Sequence, residues 1–293
     1  MELWLLFAFA SAIFAGLTAT LIKIGVKDVD SNLATALRTV IVLIFVWALV
    51  FAVGSQTTIS DISSKTFLFL MLSGLATGAS WLCYIKAIQI GSVSKVTPVD
   101  KSSTVLTIIL AFLLLGESMT LFTVMGIVII VAGTYMMIQK TANDTESKAT
   151  RKSWFFFACL SALFAAMTAI LGKVGIEDIE SNLGTAIRTI FVLLMAWLVV
   201  FVKKPKHSIK AVSKHNWLFI VLSGIATGLS WMCFYYALQN GPVSIVVPID
   251  KLSIVFTIMF AYFIQKEKIS FKMIIGLVLI VIGTMSLLIM PWG

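Results

Sequence analysis

The chain has 293 residues, 60% hydrophobic and 12% charged, with a net charge of +9 and a mean hydropathy of +1.05. An ordinary soluble domain carries about 25% charged residues and roughly 45–50% apolar ones. This composition therefore excludes a soluble globular enzyme, a disordered chain and a nucleic-acid-binding module, and the positive charge of so apolar a chain is read as membrane topology.

A bilayer core of about 30 Å needs roughly 20 apolar residues in helix. In chain order the first half offers five such segments, near 3–23, 33–53, 67–90, 93–115 and 120–139. The first is read as a span and not as a removable signal peptide. It lacks a basic n-region, and its apolar run from Leu3 to Ile22 is long enough to cross. The polar stretch 141–153 is a linker, and five more segments follow near 154–173, 183–202, 217–240, 243–264 and 271–290. The predicted fold class is an all-α membrane protein of ten transmembrane helices.

Comparing the chain with itself adds the organisation. A shift of 150 residues aligns the halves without a gap, with 59 identities over 143 overlapping positions. Trp4 falls on Trp154, Arg38-Thr39 on Arg188-Thr189 and Ser73-Gly74 on Ser223-Gly224. Pro98, Asp100 and Lys101 fall on Pro248, Asp250 and Lys251. The chain reads as a tandem duplication: a five-helix repeat over 1–140, the linker over 141–153 and a second five-helix repeat over 154–293. Five is odd, so the second copy enters the membrane from the opposite side. The halves are then inverted repeats around a central cavity, the plan that lets one backbone open to either side.

Lys and Arg in short loops mark the cytoplasmic face, and each loop has a twin for comparison. Lys27 becomes Glu177 and Lys95 becomes Ile245, whereas the 54–64 stretch, with no basic residue, becomes Lys203, Lys204, Lys206, Lys210 and Lys214. Leu115-Gly116 and Ser118 become Gln265-Lys266 and Lys268, Phe122 becomes Lys272, and the linker adds Lys140, Lys148, Arg151 and Lys152. These differences predict a multi-pass protein of the plasma membrane with both termini outside and with the linker and the 203–214 loop inside.

Among the glycines, Gly74-x-x-x-Gly78 and Gly224-x-x-x-Gly228 on the third span of each copy, and Gly126, Gly133, Gly276 and Gly283 on the last, are read as packing faces. Trp81 and Trp231 are either pocket walls or interface anchors. Charge inside the membrane is the strongest functional signal, because it is costly unless paired or wetted. The fourth span carries Asp100, Lys101, Ser103 and Thr107, and its twin carries Asp250, Lys251, Ser253 and Thr257. If the helix starts near Ser94, Asp100 lies ~9 Å along it, and Asp, Ser and Thr recur at i, i+3 and i+7 on one face. A polar stripe of this kind faces a cavity, with a structural ion pair as the alternative. The proline two residues before each aspartate loosens the backbone there. Arg38 and Arg188, about one turn inside their spans, either bind anionic groups or snorkel to the headgroups. Lys23 and Lys173 at span ends are read as snorkelling, Glu117 and Glu267 as helix caps in tight turns, and Tyr84, Gln89, Gln239 and Tyr235 as further wall candidates. Three cysteines in apolar runs form neither a disulfide framework nor a metal site, and both histidines, His207 and His215, lie in one basic loop. No metal or cofactor is expected.

The segments from Ser73-Gly74 to Trp81, from Val96-x-Pro98 to Leu115-Gly116-Glu117, and from Gly126 to Gly133 resemble the drug/metabolite transporter superfamily in its EamA-type branch. The resemblance covers nearly the whole chain as two repeats of about 140 residues. The second copy departs from the Gly-Glu turn with Lys266-Glu267, and the Asp-Lys pair after the proline is not a general feature of the family. The resemblance implies ten helices around a central cavity lined by the third, fourth, eighth and ninth spans, and often export of small metabolites. Several relatives are described with cytoplasmic termini, whereas the loop charges here place them outside.

The leading functional reading is a secondary transporter, with export as its direction, for a small polar metabolite. Proton coupling through Asp100 or Asp250 is open to it, because a carboxylate in low dielectric can exchange protons near neutral pH. A flippase for a lipid-linked or amphipathic substrate and a passive channel are the alternatives. No Ser/His, paired-Asp or HExxH constellation supports an enzyme. The expected partners are a small-molecule substrate, the bilayer and protons, with no nucleic acid; monomer and homo-oligomer both stay open.

Overall fold

The computed structural model describes residues 2–25, 29–90, 96, 99, 100, 102–136, 148–203, 209, 212–265 and 271–288. The expectations placed on Lys27, Lys95, Pro98, Lys101, Lys140, Lys204, Lys206, His207, Lys210, Lys266, Glu267 and Lys268 lie outside the described residues, as do those for the side chains of Lys23 and Gln89. Among the described residues every regular element is helical. The first repeat contributes α1 (Leu3–Gly25), α2 (Ser31–Val53), α3 (Ser64–Ile90), α4 (Ser103–Leu115) and α5 (Leu121–Met136), with a short 3-10 turn, Ser55–Asp61, between α2 and α3. The second contributes α6 (Lys148–Gly175), α7 (Ser181–Lys203), α8 (Lys214–Asn240), α9 (Val243–Lys251), α10 (Ser253–Gln265) and α11 (Phe271–Leu288). Seven segments are long and apolar enough to cross a membrane, and Ser103–Leu115, Leu121–Met136 and Ile274–Leu288 are shorter apolar helices.

The helix ends follow from local chemistry. The Asp30 carboxylate accepts from the amides of Asn32 and Leu33 at the start of α2, and Glu180 does the same for Asn182 and Leu183 at the start of α7. Gly54 ends α2 and Gly116 ends α4 at φ +84° and +69°, a backbone region in which a side chain is strained.

One predicted span is broken. Residues 243–264 read as one span in sequence, yet α9 stops at Lys251 and α10 starts at Ser253. Pro248 has no N–H to give to the Ser244 carbonyl. The chain then tightens into i+3 bonds, from Leu252 N to Ile249 O at 2.9 Å and from Val255 N to Leu252 O at 2.8 Å. Ser102 in the first repeat has the same φ −63°, ψ −10° as Leu252, and its amide and hydroxyl both donate to Val99 O. The described turn at Ser102 thus matches the break at Leu252, which follows the Asp250-Lys251 pair.

The repeats interleave. The helix α1 packs on α8 and its twin α6 on α3; α2 faces α7, and α5 faces α11. Lipid gives no hydrophobic drive for such pairs, so close approach of small residues supplies it. A Cβ on Gly74 would sit 2.7 Å from Phe191 Cβ and 2.8 Å from Arg188 O, and one on Gly224 would sit 2.7 Å from Ile41 Cβ. At Gly133 the Gly276 carbonyl lies 2.6 Å from the same position. The outward faces are apolar, with Leu113, Phe201, Phe263 and Phe271 exposed.

The face that carries the α4–α5 turn is tied down by polar contacts. Glu117 caps the other repeat: its carboxylate accepts from Val243 N at 2.6 Å and Ser244 N at 2.9 Å, at the start of α9. Lys173 does not snorkel. Its ammonium donates to the carbonyls of Leu238, Gln239 (3.0 Å) and Gly241 (3.2 Å), where the end of α8 leaves carbonyls without helical partners. Gln239, expected on a cavity wall, donates instead to the carbonyls of Ile176 and Ile179.

Candidate functional site

A cavity of about 330 Å³ lies between helices of both repeats. Its polar wall comprises Thr18, Arg38, Thr77, Ser80, Ser103, Thr107, Thr168, Arg188, Thr227, Ser230, Asp250 and Lys251, and its aromatic wall Trp81, Trp231, Phe234 and Tyr235. This volume falls at the low end of the roughly 300–1,000 Å³ typical of small-molecule sites.

Of the residues singled out in sequence, Arg38, Arg188, Trp81, Trp231, Ser103, Thr107, Asp250 and Lys251 meet on this cavity. Asp100, Ser253 and Thr257 are not among its lining residues. The single polar stripe expected along each fourth span is divided by the helix break. In the first copy Ser103 and Thr107 line the cavity and Asp100 does not; in the second Asp250 and Lys251 line it and Ser253 and Thr257 do not, although the twins make the same local bonds. A break of one residue changes which side chains share a face, and straight-helix spacing does not register it.

The aspartates are held across the repeats. The Ser11 hydroxyl on α1 donates to Asp250 Oδ1 at 2.7 Å, and its twin Ser161 on α6 donates to Asp100 Oδ1, also at 2.7 Å. Ser230 donates to Ser11 O and Ser80 to Ser161 O, which completes two matching clusters. A second matched pair joins Thr18 to Thr227 and Thr168 to Thr77, each at 3.3 Å. Lys251 Nζ lies 3.9 Å from Asp250 Oδ2. Ser11, Thr18, Ser161 and Thr168 escaped the sequence reading. Their signal was there: each is retained between the copies, and each pair is spaced i, i+7 on one face of its helix.

The arginines are twins in sequence only. Arg188 is buried, donates through Nε to Ser73 Oγ at 3.0 Å and through Nη2 to Thr77 Oγ1, and lies 5.2 Å from the Trp231 ring centre and 4.8 Å from that of Tyr235. Its Nη1 is buried without a hydrogen-bond partner. Arg38 is partly buried, its Nε likewise has no partner, and among the described residues no group accepts from its guanidinium. Neither arginine snorkels to a headgroup; both turn inward to the cavity.

Long apolar helices, lipid-facing side chains and a polar cavity between two like halves define a multi-pass integral membrane protein. The chain belongs to the EamA-like transporter family, whose model matches residues 2–139 and 152–289, one match per repeat. A Sinorhizobium protein named "Uncharacterized transporter in cobO 3'region" is 44% identical over 134 residues, which is 46% of this chain and 95% of that protein. The matched stretch has the length of one repeat. An "Uncharacterized transporter" of Archaeoglobus fulgidus is 22% identical over 268 residues, 91% of each chain. A crystal structure with 18% identity superposes with a TM-score of 0.79 over 96% of this chain and 95% of that one, a likeness of fold.

Proposed function

We propose that the protein is a secondary-active carrier that exports a small polar metabolite by alternating access. In this reading it has ten spans in two inverted five-helix repeats, 1–140 and 154–293, joined by the linker 141–153. The loop charges orient it with both termini outside the plasma membrane, and Asp100 and Asp250 serve proton coupling. The observation that carries the reading is the doubled constellation around one cavity, in which each repeat donates a serine hydroxyl to the other repeat's aspartate. Two equivalent clusters that cross the repeat boundary are what an inverted pair needs in order to exchange states. The break after Lys251 puts irregular backbone next to cavity-lining Asp250 and Lys251, with Leu252 buried in protein and not against lipid. Protonating an aspartate removes charge from its carboxylate and weakens the charge-assisted bond that ties the repeats.

Proteoliposomes loaded with a pH-sensitive dye test this against a panel of amino acids, nucleobases, sugars, amines and organic acids. The expected result is saturable, substrate-driven proton movement by the wild type, abolished in both Asp100→Asn and Asp250→Asn although each variant purifies folded. Unchanged flux in both variants removes the aspartates from the mechanism. Uncoupled flux far above ~10³ per second makes the protein a channel.

A further inference from the structure

Resting on the carrier reading, we propose that the cavity takes a small organic anion, with Arg38 receiving its charge and Arg188 forming a fixed positive wall. Among the described residues, three cationic side chains line the cavity, Arg38, Arg188 and Lys251, with Asp250 as the acidic one. That carboxylate is already engaged by Ser11 on one oxygen and faces Lys251 on the other. Its charge is shared with Lys251, and among the described residues neither guanidinium hydrogen-bonds a carboxylate.

The unsatisfied atoms point the same way. Arg188 Nη1 and Arg38 Nε are buried donors with no acceptor, and leaving such a donor unmade costs about 1–3 kcal/mol or more for a charged group. A carboxylate or phosphate supplies acceptors in the planar, paired geometry that guanidinium matches.

The difference between the twins assigns the roles. Arg188 is pinned by Ser73, Thr77 and two aromatic rings. The residues equivalent to those hydroxyls for Arg38 are Ser223 and Thr227. Ser223 donates to Ile220 O where Ser73 donates to Thr168 O, and although Thr227 bonds Ser223 O as Thr77 bonds Ser73 O, neither accepts from Arg38 among the described residues. In sequence the position equivalent to Tyr235 is an isoleucine, Ile85. Arg38 is therefore the guanidinium with freedom to close on a ligand. Trp81, Trp231 and Phe234 supply an apolar wall for the organic part.

The test is thermal denaturation of the purified full-length protein with matched probes: benzoate, succinate and phenyl phosphate, beside benzamide, succinamide and benzylamine. An anionic probe is expected to raise Tm with dose, by roughly 2–5 °C at ten times its Kd, and the neutral and cationic partners to leave it unchanged. Arg38→Gln should lose the shift, with at least about a tenfold weaker Kd, and Arg38→Lys should retain part of it. Response to phenyl phosphate alone assigns phosphate, and response to benzoate or succinate alone assigns carboxylate. Equal stabilisation by benzamide, succinamide or benzylamine overturns the anion class, and an undiminished shift in Arg38→Gln overturns the role of Arg38. Should Arg38→Gln not fold, the wild-type contrast between probes and the Arg38→Lys variant decide. If no anion binds while aspartate-dependent flux persists in proteoliposomes, the anion class is wrong and the carrier reading stands; if both fail, the carrier reading is wrong as well.

Discussion

Gly74→Val is expected to abolish a stable fold. The first atom beyond Cα already meets Phe191 Cβ at 2.7 Å and the Arg188 carbonyl at 2.8 Å. Backbone cannot yield as a flexible side-chain tip can, so α3 and α7 must separate. Separation costs more than the few van der Waals contacts at that point, because the same crossing positions Ser73 and Thr77 against Arg188. Overpacking typically costs about 1–3 kcal/mol; the loss of bonds to a buried guanidinium adds to it. Size-exclusion profiles and thermal denaturation in detergent check this, with Leu113→Val on the lipid-facing side as control. Gly224→Val should behave alike, since its Cβ meets Ile41 at 2.7 Å and Arg38 O at 3.2 Å. A monodisperse Gly74→Val protein with wild-type Tm would show that the α3–α7 crossing is not tight.

The second large effect is expected at Glu117. Its carboxylate accepts both free amides at the start of α9, across the repeat boundary, at the positive end of that helix. Hydrogen bonds to a charged group are worth about 1.5–3 kcal/mol each before water replaces them. Glu117→Ala should thus favour opening of this face by roughly 2 kcal/mol, about thirty-fold in the open-to-closed ratio. The reporter is a cysteine at Val247, which lines the cavity, in a protein lacking Cys83, Cys159 and Cys233. Labelling by an impermeant maleimide should accelerate from the α4–α5 face only, when right-side-out and inverted vesicles are compared. The proposed orientation puts that face outside, so the same comparison tests it. An unchanged rate from either face would reduce Glu117 to a static cap.

Much of the candidate site was legible, because the chain contains its own comparison. Identity between the halves drew attention to Arg38 and Arg188, to the Asp-Lys pairs and to the glycine faces, all of which the structure brings to the repeat interface or the cavity except Lys101, which lies outside the described residues. Self-comparison is blind where the twins diverge in role. It treats Arg38 and Arg188 alike, though among the described residues only Arg188 is held by two hydroxyls and two aromatic rings. It treats Asp100 and Asp250 alike, though only the second lines the cavity. Periodicity likewise assumed a straight fourth span, whereas the second one breaks after Lys251, and Ser253 and Thr257 are not among the residues that line the cavity.

Composition and hydropathy by themselves determined that this is a membrane protein, and the offset of 150 residues determined that it is a duplicated one. Both properties are sums along the chain: lipid partition depends on how many apolar residues run together, and a repeat depends on order alone. Pairing is not such a sum. That Ser11 serves Asp250, that Ser161 serves Asp100 and that Glu117 caps α9 are bonds between residues 239, 61 and 126 positions apart. A hydrogen bond exists only where two groups come within about 3 Å in the right direction. That was decided by the interleaving of the two repeats, which glycine-to-backbone contact permits and local sequence does not encode.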